Sequence, residues 1–151
     1  MTPEEKLAEL GLAVPEVVPP LAAYVPAVRH GDLVFTAGQL PAREGQMIAT
    51  GKLGAGVSEE DGYACARQCA LNALAAIKAE IGDLSAITRI VKVVVFVAST
   101  PDFTGQPKIA NGASELLGEV FGDAGRHARS AVGVAALPLD VPVEVELVVA
   151  L

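Results

Sequence analysis

The nine residues from Ile90 to Ala98 read IVKVVVFVA, β-branched or aromatic throughout except for Lys92 and the closing alanine. Two heavy atoms on Cβ crowd a helix but pack well on a pleated surface, so the run predicts a β-strand. It is too short for a membrane-spanning helix, which needs about 18 apolar residues. Its near-continuous apolar character predicts a central strand covered on both sides. Such a strand requires neighbouring strands to pair with and helices to pack on it.

The flanking sequence supplies both. Val28 to Leu40 predicts two short strands around a turn at His30, Gly31 and Asp32, and Met47 and Ile48 suggest a further strand in a glycine-rich stretch. Ser58 followed by Glu59, Glu60 and Asp61 is a helix-start signal, and a long helix to Gly82 is expected. On it Ala70, Leu74, Ile77 and Ile81 form one apolar face, and Arg67, Asn72, Lys78 and Glu80 are placed off that face. Pro107 to Phe121 predicts a second helix, in which Gly112 and Gly118 each cost about 1 kcal/mol relative to alanine. Ala128 to Ala135 and Val141 to Val149 predict two closing strands joined by a Leu-Pro-Leu-Asp turn. The expected fold is α+β, a single mixed sheet with two main helices on one face. Ahead of it, Thr2, Pro3 and Glu5 start a short helix that ends at Gly11, and a proline-rich arm continues to Pro26.

Composition narrows the function classes. The 151 residues suit one domain, and a net charge of −7 gives no general basic field for a phosphate backbone. No nucleic-acid partner and no membrane partner are expected. The N-terminus lacks the basic-then-apolar pattern of an export signal, so a cytoplasmic location is expected. The only cysteines, Cys65 and Cys69, lie four apart in the first long helix and are expected to be reduced, buried thiols. Glycine-rich dinucleotide and P-loop motifs, HExxH and the nucleophile elbow are all absent from the chain.

Two polar features sit on otherwise apolar strands. Arg129 opens a closing strand, and a guanidinium fork can hold a carboxylate by two parallel hydrogen bonds; a structural ion pair would explain the same residue. Glu144 and Glu146 share one face of the last strand, whereas Val143, Val145, Leu147 and Val149 face the core. Two carboxylates about 7 Å apart could divide acid and base roles, and a solvated polar face would also place them there. His30 and His127 are expected in exposed or structural roles. Gly38 is a position where another group can approach the backbone closely.

Residues 23–41, 102–117 and 127–147, read together and in order, resemble the YjgF/RidA family of reactive-intermediate deaminases. The most specific part is an Arg-Ser pair on a strand, a Leu-Pro turn and a Val-Glu-Val-Glu strand, with Glu144 fifteen positions after Arg129. The resemblance covers residues 20–151, which makes residues 1–19 an extension of a single-domain chain. It implies a chorismate-mutase-like fold, a homotrimer and a ligand cleft at each subunit interface. It also implies hydrolysis of enamines and imines such as 2-aminoacrylate to 2-keto acids and ammonia, with no cofactor. On that likeness Arg129 clamps the substrate carboxylate and Glu144 positions water or moves a proton. Tyr24, Gly38, Asn111 and Ala131 line the cleft. Ala131 stands where the family often has cysteine, Ala37 where it commonly has serine, and an insertion precedes Asn111. A non-catalytic trimer that binds small carboxylates is the alternative, and ribonuclease activity is disfavoured by the acidic charge.

Overall fold

The computed structural model describes residues 1–20 and 22–151. Helix α1 (Pro3–Glu9) begins with a complete capping box: Thr2 Oγ1 accepts the Glu5 amide, and the Glu5 carboxylate accepts the Thr2 amide. Leu7 of this helix is fully buried, and Lys78 reaches Glu4 at 2.8 Å, so the N-terminal helix is packed onto the body. Residues 12–20 contain no helix or strand, as their prolines dictate.

Strands β1 (Ala27–His30) and β2 (Leu33–Thr36) form the expected hairpin, with Gly31 at a φ of +61° in its turn. Four two-residue strands follow: β3 (Ala42–Arg43), β4 (Gln46–Met47), β5 (Lys52–Leu53) and β6 (Gly56–Val57). Met47 lies in a strand, but Ile48 lies just outside it. Helix α2 (Glu59–Ile81) is capped by Ser58, whose hydroxyl accepts the Asp61 amide, and it ends at Gly82 with a φ of +87°. Strand β7 (Arg89–Ala98), helix α3 (Gln106–Phe121), strand β8 (Ala128–Val134) and strand β9 (Val143–Ala150) complete the fold.

The main sheet has the order β1-β2-β9-β7-β8, and only the β7–β8 pair is parallel. Helices α2 and α3 cover one face of it. Val93, Val95 and Val97 of β7 and Val143, Val145, Leu147 and Val149 of β9 are buried beneath them with Leu74, Ile77, Leu116 and Leu117. This is the expected α+β architecture.

One expectation is corrected. Among the described residues, strand β7 is covered on one face only: Val91 is exposed and Val94 and Phe96 are half-buried, alongside exposed Val28, Phe35 and Val132 on the same open face. An apolar run cannot distinguish burial under a helix from an apolar face that a single chain leaves open. Asn72, placed off the apolar face of α2, is nevertheless 1% exposed. Its amide donates to the carbonyls of Leu40 (3.0 Å) and Ala42 (2.9 Å) and its side-chain oxygen accepts from Gln68, so the buried amide is satisfied by the loop it anchors.

The two helices approach closely at Gly112. A β-carbon there would overlap the Tyr63 carbonyl oxygen of α2, whereas one at Gly118 would meet nothing within 4 Å. Only the first glycine is required by packing.

Candidate active site

Strand β8 and helix α3 build the first half of the site. Arg129 is in register with Val93, whose side chain is on the helix-covered face, so the arginine also projects towards α3. There one guanidinium nitrogen, Nη1, donates to Asn111 Oδ1 at 2.8 Å and to Ser114 Oγ at 3.2 Å. These bonds use both Nη1 hydrogens. The Nε–H and the two Nη2 hydrogens have no partner among the described residues. What remains is the side-on edge of the fork, the arrangement that grips a carboxylate with two parallel hydrogen bonds. Ala131, two residues along β8 on the same face, is half-buried against the core.

Strand β9 and the segment after β2 build the second half. Glu144 is in register with Phe96 on the open face of the sheet, as is Glu146 with Val94. The chain turns back across β9 at Gln39, which exchanges both backbone hydrogen bonds with Val145. This brings Gly38 against Glu144: a β-carbon at Gly38 would lie 2.8 Å from the carboxyl carbon and Oε2. A side chain at this position would have to displace the Glu144 carboxyl, the flexible end of its side chain. Burial, with the nearby Glu146 carboxylate as the second cause, holds the Glu144 carboxyl above the usual carboxylate range. Among the described residues it has neither hydrogen bond nor ion pair. Tyr24 and Gly38 share a crevice of about 30 Å³ with Val18, Pro26 and Leu40, which is room for about one water.

The six singled-out positions thus fall into two groups. Arg129, Asn111 and Ala131 lie together, and Glu144, Gly38 and Tyr24 lie together. One chain does not join them. The register positions of Arg129 and Glu144 on β7 are Val93 and Phe96, an odd separation, so the two side chains leave opposite faces of the sheet. Two strand spacings sideways and three residues lengthwise put their Cα atoms roughly 14 Å apart.

Sequence reasoning missed Ser114, and His127 takes the structural role expected of it. Together they complete the polar surroundings of Arg129: His127 Nε2 lies 2.8 Å from Ser114 Oγ, and Nδ1 lies 2.6 Å from the Gly125 carbonyl. The sequence carried a partial signal, since His127 precedes Arg129 by two and so shares its side of the strand. The cysteines are buried as expected. Burial pushes the Cys65 thiol up to about 11 and the Cys69 thiol well above its ordinary value, so neither supplies a thiolate near neutral pH. Among the described residues no group of three His, Cys, Asp or Glu side chains is placed to hold a metal ion, and no helix is long and apolar enough to cross a membrane.

Comparison with known proteins agrees with this architecture. The family model described as "YjgF/chorismate_mutase-like, putative endoribonuclease" matches residues 4–151. Protein TCP17 of Trypanosoma cruzi is 45% identical over 96% of this chain and 91% of its own length. A 2-iminobutanoate/2-iminopropanoate deaminase of Dermatophagoides farinae is 30% identical over 91% of this chain and 93% of its own. The crystal structure of Atu1372, a protein of unknown function from Agrobacterium tumefaciens, superposes with a TM-score of 0.93 at 43% identity, covering 99% of this chain and 92% of that one.

Proposed function

The chain belongs to the YjgF/chorismate-mutase-like family, and on that premise we propose that it hydrolyses small 2-imino acids, and the enamines that tautomerise to them, to 2-keto acids and ammonia. The observation that carries this reading is the half-used guanidinium of Arg129. Asn111 and Ser114 fix Nη1, and the opposite edge is left for a carboxylate. The relative named as an imine deaminase supports the same substrate class.

Little catalytic machinery is needed. A protonated imine carbon beside a carboxylate is already electrophilic, so positioning and one proton carrier suffice. Glu144 suits the second task, because a half-buried carboxyl held above its ordinary pKa gains and loses a proton nearer neutrality than an exposed one. It takes a proton from the attacking water as the C–O bond forms, then returns it to the nitrogen as the C–N bond breaks. Iminium carboxylate and water give keto-acid anion and ammonium, which balances atoms and charge.

Arg129 and Glu144 must meet on one substrate for this to work, and the sheet of a single chain keeps them apart. The reading therefore includes a cyclic homo-oligomer, a trimer on the family resemblance, in which the Arg129 group of one copy faces the Glu144 group of the next. The open apolar sheet face with Val28, Phe35 and Val132 supplies surface for such contacts. A non-catalytic carboxylate-binding protein would use the same arginine edge without the proton carrier.

The test is ammonia and keto-acid release when the purified chain is added to a dehydratase generating 2-aminoacrylate. Acceleration by the native chain and a loss of roughly a hundredfold in Arg129→Ala are expected, the weight of charge-assisted hydrogen bonds. Turnover unchanged by that substitution would contradict the clamp. Saturable keto-acid binding without acceleration would select the binding protein.

A further inference from the structure

Behind the arginine runs a continuous chain of hydrogen bonds that the proposed chemistry does not itself use. The Gly125 carbonyl can only accept, so the 2.6 Å contact requires a proton on His127 Nδ1. In the neutral imidazole Nε2 is then an acceptor, and the 2.8 Å contact makes the Ser114 hydroxyl its donor. With its hydrogen committed to the histidine, Ser114 turns a lone pair to Arg129 Nη1 at 3.2 Å. Each link fixes the direction of the next.

The far end of this chain is rigid. A β-carbon at Gly125 would overlap the Leu117 carbonyl oxygen of α3, so Gly125 sits hard against the helix and its own carbonyl is held in place. Gly125 and Ser114 are thereby anchored to the same helix, and His127 bridges them one residue before β8 begins.

We propose that Ser114 and His127 are positioning residues that orient the Arg129 guanidinium, so that its Nε/Nη2 edge is presented to the carboxylate of a 2-oxo or 2-imino acid. This rests on the reading of Arg129 as the carboxylate clamp. Without the pair, Asn111 alone would hold Nη1, and the fork could turn about that single bond.

The test is calorimetric titration of the full chain and its variants with pyruvate, beside thermal melts that verify folding. Ser114→Ala and His127→Ala are expected to weaken pyruvate binding roughly five- to tenfold. Ser114→Thr, which keeps the hydroxyl, should restore affinity to within about twofold. The decisive arm is the pair Ser114→Ala with Arg129→Ala. If the serine acts through the arginine, the double variant binds no worse than Arg129→Ala alone. Additive losses in the double variant, or native affinity in Ser114→Ala, would overturn the inference while leaving the clamp standing. A native chain that neither binds pyruvate nor releases ammonia would overturn the clamp and this inference together. Should the alanine variants fail to fold, nitrogen-15 NMR of the native imidazole decides: the proton on Nδ1 supports the inference, and the proton on Nε2 contradicts it.

Discussion

The two halves of the site differ in how much of their electrostatics one chain completes. At Arg129, Asn111 and Ser114 hold one nitrogen, His127 and Gly125 hold Ser114, and a single edge is left open. At Glu144, the carboxyl is half-buried beside a like charge, without a hydrogen bond or ion pair among the described residues. On the proposed reading the first half binds, because its geometry is set before any ligand arrives. On that reading the second exchanges a proton, because no hydrogen bond or ion pair among the described residues stabilises its charged form. Placing them on opposite faces of one sheet prevents the carboxylate from pairing with the arginine of its own chain, which would neutralise both.

The contrast makes distinct predictions. The largest effect on stability concerns the arginine half, which depends on α3 lying close to α2. Gly112→Ala forces the helices apart at the residue next to Asn111, with a backbone carbonyl as the obstacle, and should cost about 3 kcal/mol in denaturant unfolding. It should also disorder the clamp. Gly118→Ala, in the same helix with open space around it, should stabilise by up to about 1 kcal/mol. Equal effects from the two substitutions would remove the packing argument.

A smaller effect, of opposite sign, is expected at the glutamate half. Because the folded state raises the Glu144 pKa, it binds the proton more tightly than the unfolded chain does. Stability is then reduced above the raised pKa, and the deficit fades as pH falls through that value towards the ordinary carboxylate range. Glu144→Gln should therefore stabilise the fold at neutral pH, by no more than about 1 kcal/mol for a half-exposed group, and lose that advantage near pH 4. Thermal melts of both proteins across that pH range would check it. A variant less stable than the native chain at neutral pH would indicate a hydrogen-bonded carboxylate and break the comparison.

Sequence pattern carried the architecture further than it carried the site. The capping signals at Thr2 and Ser58, the β-branched run in β7 and the alternation in β9 each have a local cause, and each lies where its pattern placed it. Gly112 and Gly118 show where local reading ends: they are equivalent in helix propensity and opposite in packing, since only the fold brings Tyr63 to one of them. The burial of Asn72, off the apolar face of α2, was hidden for the same reason, as the loop carbonyls it satisfies are remote in sequence. Arg129 and Glu144 drew attention as charges on apolar strands. Their separation by the sheet follows from register on β7, which no single strand encodes, and the Ser114–His127 relay requires knowing that α3 returns alongside β8.

The central claim, a site shared between copies, is tested most directly by mixing two impaired variants. Arg129→Ala and Glu144→Gln would be unfolded together, refolded at equal concentration and assayed for ammonia release from 2-aminoacrylate. In a cyclic assembly with random mixing, about a quarter of the interfaces pair an intact Arg129 with an intact Glu144, and the mixture should recover about that fraction of native activity. Activity in the mixture no higher than that of the separate variants would contradict the shared site.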